Sequence, residues 1–333
     1  MVDIPDSMPA AYINANEQLV YGQLLISQPK ATEVLVKVHA AAVGVEDVLQ
    51  YTGYLPLMDK TPHVLGCDAA GEIVALGDEV AGAGIWSVGE RVLVSHYDYL
   101  GIDRNGTHAG YVAVDAEHLI ILPDSVDYVT AAASGYPLRR AWSGLTYSAR
   151  LRKRETVVIK GAGTPLGRAA MAICKWKDCT VIALDKPQHT AQLREAGADM
   201  VFDDSLSTKE LLNLLMSITE DVSASLVVDM YGGDSIQQAI QMLAIEGRIL
   251  SLATYSSEEV TLNMQDLVAL NGTLYTATDT LKDGDATKLL AMVADGDINI
   301  RIAEQLPLKA AKSAYEKVNA GEAWGTIVLV PDA

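Results

Sequence analysis

Short apolar runs separated by polar and turn residues dominate the first third of the chain. The clearest runs are rich in β-branched residues and lie at 33–40, 70–77, 90–94 and 110–114. Gly, Asp and Pro lie between them, which is typical of a series of strands. The connections are too short for crossover helices, so we expect a largely antiparallel sheet.

The pattern of hydrophobic positions changes around Pro123. Positions 129–149 are Ala-rich and predict a helix, after which strands and helices alternate. Predicted strands are 157–160, 181–185, 200–202, 226–229, 248–252, 273–277, 298–303 and 325–330. Predicted helices lie near 166–176, 188–196, 208–218, 235–243, 286–294 and 309–319. Such alternation predicts an α/β fold in which helices cover both faces of a parallel sheet.

Length and composition limit the classes of protein to consider. A chain of 333 residues predicts two domains, and no uncharged apolar run is long enough to span a bilayer. The first residues have no basic region and no apolar core, which predicts no secretory signal and a cytoplasmic protein. The formal charge of −18 argues against nucleic acid and anionic membranes as partners. The three cysteines have no metal-site spacing and are interpreted as reduced thiols.

A glycine-rich turn joins the predicted strand at 157–160 to the helix at 166–176. The turn contains Gly161, Gly163, Thr164, Pro165, Leu166 and Gly167. Glycines let the backbone approach a pyrophosphate, and the first helical turn offers N–H groups and a positive dipole end. The G-x-G-x-x-x-G spacing departs from the usual form, and a purely structural strand-to-helix turn is the alternative.

Later strand ends supply the other candidate cofactor residues. Asp185 ends the second predicted strand, where a carboxylate accepts the ribose hydroxyls of NAD and repels the extra phosphate of NADP. Lys186 partly offsets that repulsion, and NAD(H) is favoured modestly. Asp229, Met230 and Tyr231 end the fourth predicted strand and are expected near the ribose. The residues expected beside the nicotinamide carboxamide are Ser251, Leu252 and Ala253.

Several sequence blocks together indicate a family. They lie at 42–54, 62–74, 88–92, 106–111, 122–126 and 196–199. In order and spacing, the chain resembles the medium-chain dehydrogenase/reductase superfamily over nearly its whole length, and most of all its zinc-independent quinone oxidoreductase branch. This resemblance implies a discontinuous GroES-like β-rich domain at 1–122 and 282–333. It implies a Rossmann domain at 123–281, with the active site in the cleft between the two.

The same resemblance implies that no zinc is bound. The cleft ligands of zinc-dependent relatives are Cys, His and Cys, and their positions fall at Gly44, Cys67 and the region of Gly135. One thiol cannot form a tetrahedral site, which needs three protein ligands. The stretch 95–110, where relatives carry a four-cysteine structural zinc lobe, contains no cysteine.

The resemblance also indicates candidate substrate residues. The positions expected to line the substrate cleft are Gly44, Asp47, Tyr54, Leu55 and His96. Tyr54 is the candidate catalytic residue. Its side chain either stacks beside the nicotinamide or donates a hydrogen bond to a carbonyl oxygen of the substrate. The alternative is that Tyr54 only packs on a surface loop. Arg140 falls near the position of a Thr that contacts the cofactor in relatives. Its side chain is expected to face either the pyrophosphate or solvent.

Hydride addition to a conjugated double bond suits a zinc-free cleft, because the carbonyl of the substrate delocalises the developing charge. The predicted function is therefore NAD(P)H-dependent reduction of a quinone, enone or enal. An enoyl-thioester reductase of a fatty-acid or polyketide pathway is one alternative, and a non-catalytic dinucleotide-binding protein is another. A homodimer is expected, because the predicted strand at 273–277 lies at a sheet edge where relatives pair.

Overall fold

The computed structural model describes residues 4–55, 61–95, 100–219, 222–252, 259–278 and 280–331. Its strands are β1 (Ser7–Ile13), β2 (Leu19–Leu25), β3 (Glu33–Ala42), β4 (His63–Val64), β5 (Ala69–Leu76), β6 (Arg91–Val94), β7 (Tyr111–Asp115), β8 (Leu119–Ile121), β9 (Thr156–Lys160), β10 (Thr180–Asp185), β11 (Met200–Asp203), β12 (Ala224–Asp229), β13 (Leu243–Ser251), β14 (Thr273–Thr276), β15 (Ile302–Pro307) and β16 (Thr326–Val330). Its α-helices are α1 (Val45–Tyr51), α2 (Asp78–Ala83), α3 (Tyr128–Ser143), α4 (Pro165–Trp176), α5 (Thr190–Glu195), α6 (Thr208–Ile218), α7 (Ser235–Gln241), α8 (Met264–Ala269), α9 (Asp285–Ala294) and α10 (Ala311–Asn319).

The chain divides into two compact units. The first unit contains Met1–Tyr136, Gly284–Asp295 and Ile300–Ala333, and the second contains Pro137–Asp283 and Gly296–Asn299. The sequence placed the first boundary at 122/123, whereas the structure places it inside α3. Residues 123–136 lie in the first unit because Val126 and Ala131 pack in one core cluster with Leu93 and Val328.

The first unit is built on two sheets. Three strands pair antiparallel in the order β2-β1-β4. The larger sheet has the order β15-β16-β3-β5-β6-β8, with β7 also paired to β3. Its pairs are antiparallel except that β15 and β16 run parallel, which confirms the predicted largely antiparallel sheet. Valines on alternate positions of β3 pack into one core cluster, as expected for a strand with a buried face.

The second unit is a parallel sheet of six strands in the order β11-β10-β9-β12-β13-β14. Apolar strand residues such as Val158, Ile182 and Val227 form its core together with helix residues. The predicted α/β class is therefore confirmed. In sheets of this kind, ligands bind at the carboxyl ends of the strands, where Lys160, Asp185 and Asp229 lie.

Within the residues that the structure describes, none of the helices is both long and apolar enough to cross a membrane.

Candidate active site

The turn between β9 and α4 requires glycine at two positions. Gly161 has a φ of 76°, in the region that L-residues with side chains seldom occupy. A β-carbon at Gly167 would lie 2.2 Å from the Gly161 carbonyl oxygen, so only glycine allows the helix to begin this close to the strand. These two glycines therefore bring backbone N–H groups to the end of the sheet.

Thr164 and Pro165, the unusual residues of the turn, begin α4. Thr164 is the N-cap, and its hydroxyl oxygen accepts a 3.0 Å hydrogen bond from the Gly167 N–H. The same hydroxyl donates to the Gly161 carbonyl over 2.9 Å. Pro165 occupies the first helical position, where its missing N–H costs nothing. The Leu166 N–H, also in this first turn, has no partner within the helix.

Asp185 is buried against the same turn. Its Oδ2 accepts a 2.5 Å hydrogen bond from the Gly163 N–H. Its Oδ1 accepts from the Lys186 N–H at 2.8 Å and lies 2.7 Å from Nδ1 of His189. The carboxylate therefore positions the glycine-rich turn in addition to any contact with a ribose, which the sequence did not indicate. The side chain of Lys186 is exposed.

Tyr231, which the sequence places near the predicted ribose site, lies over the turn. A β-carbon built on Gly161 would meet the Tyr231 ring at 3.1 Å. The Tyr231 hydroxyl donates to Asp204 over 3.1 Å, just beyond the end of β11. Burial, followed by the charges of Asp185 and Asp204, raises the pKa of Tyr231 far above its ordinary value. Carboxylates thus lie close to Tyr231, where the ribose of the cofactor is predicted to bind.

Asp229 and Lys160 lie beside each other at the ends of β12 and β9. Asp229 accepts hydrogen bonds from the Gly232 N–H at 2.7 Å and from the Ser235 hydroxyl, so its own loop uses both oxygens. The Lys160 ammonium donates to the Ser235 carbonyl at 3.0 Å and to Gln238 at 2.5 Å. Burial lowers the pKa of Lys160 to about 8, while Asp229 opposes this shift.

The remaining predicted cofactor residues lie near the end of β13. Arg140 is buried, and its Nε donates to the Leu252 carbonyl over 3.4 Å. Leu252 is buried and Ser251 is partly buried. Arg140 therefore contacts the backbone beside the predicted nicotinamide residues. Ala253 lies outside the described residues.

A cluster of buried carboxyl groups lies in the first unit, at the start of α1. Glu46 is 3% exposed and Asp47 is 1% exposed. Asp47 accepts hydrogen bonds from the N–H groups of Gly44 at 2.8 Å and Gly66 at 3.0 Å. Glu46 Oε1 is buried without a hydrogen-bond partner. Burial is the largest cause that raises the pKa of each carboxyl to about 7.

Asp68 extends this cluster towards α3. Its Oδ2 accepts a 3.2 Å hydrogen bond from the Tyr136 N–H. A β-carbon on Gly135 would lie 2.6 Å from both Asp68 Oδ1 and Ser95 Oγ. A side chain at Gly135 therefore has no room unless these two groups move.

His108 is the buried base beside the cluster. Its Nε2 donates to the Ala42 carbonyl at 2.9 Å and lies 3.9 Å from Asp47 Oδ2, while its Nδ1 pairs with the Tyr315 hydroxyl. Burial lowers the pKa of His108 to about 4, so the imidazole is neutral near pH 7. His108 cannot supply a positive charge to offset the carboxyl groups.

Two other predicted cleft residues follow α1 in the chain. Tyr54 is 48% exposed, and its N–H donates to the Leu49 carbonyl at 2.8 Å. The Leu55 N–H donates to the same carbonyl at 3.0 Å. These contacts fix the backbone of the loop and leave the role of the Tyr54 side chain as a prediction. His96 lies outside the described residues.

The positions that correspond to the zinc ligands of relatives do not fit a metal. Gly44 and Gly135 have no side chain, and the direction of each missing β-carbon is filled by oxygen atoms. At Gly44 these are Glu46 Oε2 at 3.2 Å and Asp47 Oδ2 at 3.5 Å. In the part of the chain that the structure describes, no group of three or more His, Cys, Asp or Glu residues could hold a metal ion.

Two sequence-family models match the chain. The model described as "Alcohol dehydrogenase GroES-like domain" matches residues 30–124 in the first unit. The model described as "Zinc-binding dehydrogenase" matches residues 165–295. The chain belongs to the medium-chain dehydrogenase/reductase superfamily. As a member of this superfamily, the protein is an NAD(P)-dependent oxidoreductase.

Characterised members of the superfamily resemble the chain at low identity. It is 25% identical to the quinone oxidoreductase of Homo sapiens over 91% of this chain and 90% of that protein. The quinone oxidoreductase of Pseudomonas aeruginosa is also 25% identical, with 97% and 98% covered. A phenolphthiocerol/phthiocerol polyketide synthase from Mycobacterium tuberculosis is 26% identical over 91% of this chain, which spans 14% of the synthase polypeptide.

Solved structures resemble the whole chain. An NAD-dependent alcohol dehydrogenase is 25% identical, with a TM-score of 0.85 and coverage of 97% of this chain and 99% of that one. AibC superimposes with a TM-score of 0.88 at 23% identity, with 98% and 97% covered. The second likeness supports the superfamily fold alone.

Proposed function

We propose that this protein is a zinc-independent, NADH-dependent reductase of quinones or α,β-unsaturated carbonyl compounds. The observation that carries the proposal is the carboxyl cluster at Gly44 and Gly135, where zinc-dependent relatives have ligands. Oxygen atoms of Glu46, Asp47 and Asp68 lie in the direction that a ligand side chain would take. Simple alcohol oxidation in this superfamily depends on a Lewis acid, whereas a conjugated acceptor stabilises its own developing charge.

The acidic end of the cofactor site supports NADH over NADPH. Asp185 lies against the Gly163 N–H, and Asp204 is held close by through Tyr231. A 2′-phosphate placed among these carboxylates would meet repulsion from like charges. The match to an NAD-dependent alcohol dehydrogenase structure agrees with this choice.

Each residue of the cofactor site has a distinct task in the proposed reaction. The Leu166 N–H and the positive end of α4 hold the pyrophosphate. Asp185 holds the adenosine ribose, and the backbone beside Leu252 orients the carboxamide. When bound, the reduced nicotinamide supplies a hydride to the acceptor. Tyr54 is proposed to cover the acceptor and to exclude water.

Purified protein with each reduced dinucleotide and a panel of acceptors tests this function. We expect oxidation of NADH that requires a quinone or a small enone, with lower activity from NADPH. Treatment with a chelator is expected to leave the rate unchanged. A clear preference for NADPH, oxidation of simple alcohols alone, or loss of activity on chelation would each overturn the proposal.

Reduction of enoyl thioesters is the second candidate function. One observation favours it: the chain matches a segment of a polyketide synthase at 26% identity. An enoyl thioester undergoes the same hydride addition as an enone, so the acceptor panel includes one. A kcat/KM at least tenfold higher for the thioester than for every quinone and enone would favour this function instead.

We also propose that the protein is a homodimer that pairs through β14. This strand ends the six-stranded sheet and pairs only with β13 among the described strands. Leu274 on β14 is 38% exposed. An open strand edge with exposed apolar residues promotes pairing with another chain, and a two-fold axis closes such a contact.

A further inference from the structure

We propose that Glu46 stores the proton that completes the reduction and that Tyr136 passes it to the carbonyl oxygen of the substrate. This inference rests on the proposed function, because it assigns the acid that reduction of an enone without zinc requires. Glu46 was not among the residues predicted from the sequence. An acidic residue in the first turn of a helix is most often a solvated residue that the helix dipole favours.

The position of Glu46 suits a proton store. Its carboxyl is buried, and Oε1 makes no hydrogen bond within the protein. Buried carboxylate oxygens are rarely left without a partner, because such a group loses its hydration without compensation. A proton on the carboxyl removes most of this cost. The unpartnered oxygen is therefore explained if Glu46 carries a proton.

Tyr136 connects this buried carboxyl to a less buried position. The Tyr136 hydroxyl is within hydrogen-bond reach of the Glu46 carboxyl, and donation from it opposes the rise in the pKa of Glu46. The Tyr136 side chain is partly exposed, whereas Glu46 is enclosed. The Tyr136 backbone is held by Asp68, which accepts its N–H at 3.2 Å. A hydroxyl can donate one proton while it accepts another, so Tyr136 can act as the link between Glu46 and a substrate oxygen.

The surroundings of Glu46 favour its protonated form. The titratable groups around it are Asp47 on α1, Asp68 before β5 and Tyr136 on α3, while Cys67 and His108 face Asp47. Across the described residues, no Lys or Arg forms an ion pair with Glu46 or Asp47. The pKa of Glu46 is about 7, raised first by burial and then by Asp47. Neutral solution therefore leaves a substantial share of Glu46 protonated.

The proposed reduction consumes one proton in addition to the hydride. Hydride arrives at the β-carbon of the enone, and the π electrons move to the carbonyl oxygen as an enolate. The Tyr136 O–H bond breaks and a new O–H bond forms at the enolate oxygen, while the Glu46 O–H proton moves to the Tyr136 oxygen. Glu46 becomes a carboxylate and regains one proton from solvent. The enol then tautomerises to the saturated ketone, so one enone, one hydride and one proton are consumed.

Glu46→Gln tests this role, because it keeps the shape of the side chain and removes its acidic proton. The matched control is Glu79→Gln, at an exposed position in the first turn of α2. With NADH and a small enone, we expect Glu46→Gln to lower kcat about 100-fold, as for loss of a general acid. The dissociation constant for NADH should stay within about twofold of the unmodified protein, since the cofactor residues are unchanged. Tyr136→Phe is expected to lower kcat similarly.

The pH profile separates a proton store from a structural role. In the unmodified protein, kcat for the enone is expected to fall as the pH rises through about 7, where Glu46 loses its proton. This fall should be absent in Glu46→Gln and present in Glu79→Gln. A quinone should be affected less than the enone, because a hydroquinone anion is a weaker base than an enolate and needs less help from an acid.

An infrared measurement gives a readout that needs no turnover. Protein labelled with 13C at its glutamate side-chain carboxyls should show a protonated-glutamate band at pH 6 that is lost by pH 8, and the label separates this band from that of Asp47. Glu46→Gln should lack the labelled band, while Tyr136→Phe keeps it. The absence of this band at pH 6, or an unchanged kcat and pH profile in Glu46→Gln, would overturn the inference. If no acceptor oxidises NADH, the proposed function fails, and the infrared band alone then decides whether Glu46 stores a proton. A Glu46→Gln protein that does not fold leaves the band in the unmodified protein as the deciding result.

Discussion

Asp185 is the residue on which the choice of cofactor depends. Its carboxylate accepts a hydrogen bond from the Gly163 N–H and is proposed to face the adenosine ribose. We expect Asp185→Ser to weaken NADH binding and to improve NADPH binding, with Lys186 available to the 2′-phosphate. Loss of a charge-assisted hydrogen-bond pair is worth roughly 1.5–3 kcal/mol, or on the order of tenfold or more in affinity.

Dissociation constants for both dinucleotides, measured by the quenching of protein fluorescence, give the preference ratio. The matched control is Asp283→Ser, which removes the same charge from an exposed position of the second unit. A preference ratio that stays the same in Asp185→Ser would mean that this carboxylate only supports the glycine-rich turn.

The raised pKa values of the buried carboxyls Glu46 and Asp47 predict that the free energy of unfolding depends on pH. Both have a folded-state pKa of about 7, above the ordinary values of 4.5 and 3.8. The folded protein therefore holds more protons than the unfolded chain between about pH 4 and 7. Their contribution to the free energy of unfolding is present at low pH and is lost as the pH rises through about 7.

Each of these two pKa shifts corresponds to a loss in the free energy of unfolding on the order of 3 kcal/mol between about pH 4 and 7. Glu46→Gln removes one of these groups, so its free energy of unfolding should fall less between pH 5 and 8 than that of the unmodified protein. Urea titrations at the two pH values measure the difference. Glu79→Gln should follow the unmodified protein, and an equal pH response in all three proteins would contradict the prediction.

At the scale of the secondary-structure element, α4 depends on its N-cap. The Thr164 hydroxyl accepts the Gly167 N–H and donates to the Gly161 carbonyl. Thr164→Ala should lower the free energy of unfolding by about 1 kcal/mol, because both bonds are lost. Thr164→Ser keeps the hydroxyl and should cost much less. Denaturant midpoints of the two variants are compared with that of the unmodified protein. A Thr164→Ala midpoint equal to that of the unmodified protein would show that the cap contributes nothing to stability.

Elements with regular patterns were predicted well from the sequence. The helix near 208–218 coincides with α6, and the strands of the parallel sheet fall within a few residues of their predicted positions. The strand predicted at 298–303 instead begins at Ile302, and Ile298 is buried in an irregular segment. The alternating isoleucines of this segment fit a strand, but burial there does not require pairing.

The candidate site was less predictable than the fold. The glycine-rich turn and Asp185 carry local signals, and the structure brings them into direct contact. Glu46 carries no such signal, because its burial depends on residues distant in sequence, including Asp68 and Tyr136. Tyr231 carried a signal through its place after β12, but its position over Gly161 results from the packing of β12 beside β9. Contacts between segments distant in sequence determine the burial and the electrostatic surroundings of these residues. The periodic pattern of hydrophobic positions gives no information about such contacts.

At the scale of the whole molecule, the open edge at β14 predicts the oligomeric state. Light scattering at micromolar concentration should give the mass of a dimer. Leu274→Glu places a charge on this edge and should shift the protein towards monomer, because an unpaired buried charge opposes association. The control Ile85→Glu changes an aliphatic residue that is 74% exposed in the first unit and should leave the mass unchanged. A monomer mass for the unmodified protein would contradict the proposed pairing.

The lack of room at Gly135 constrains the order in which a metal-binding ancestor or descendant of this protein could acquire its ligands. A cysteine introduced there first would collide with Asp68 and Ser95, whose oxygen atoms lie 2.6 Å from the position of its β-carbon. Both side chains must therefore move, or be replaced by smaller ones, before the thiol fits. Gly44 tolerates a β-carbon more easily, at 3.2 Å from the flexible end of Glu46. A change at Gly135 is thus coupled to Asp68 and Ser95, whereas a change at Gly44 is coupled mainly to Glu46.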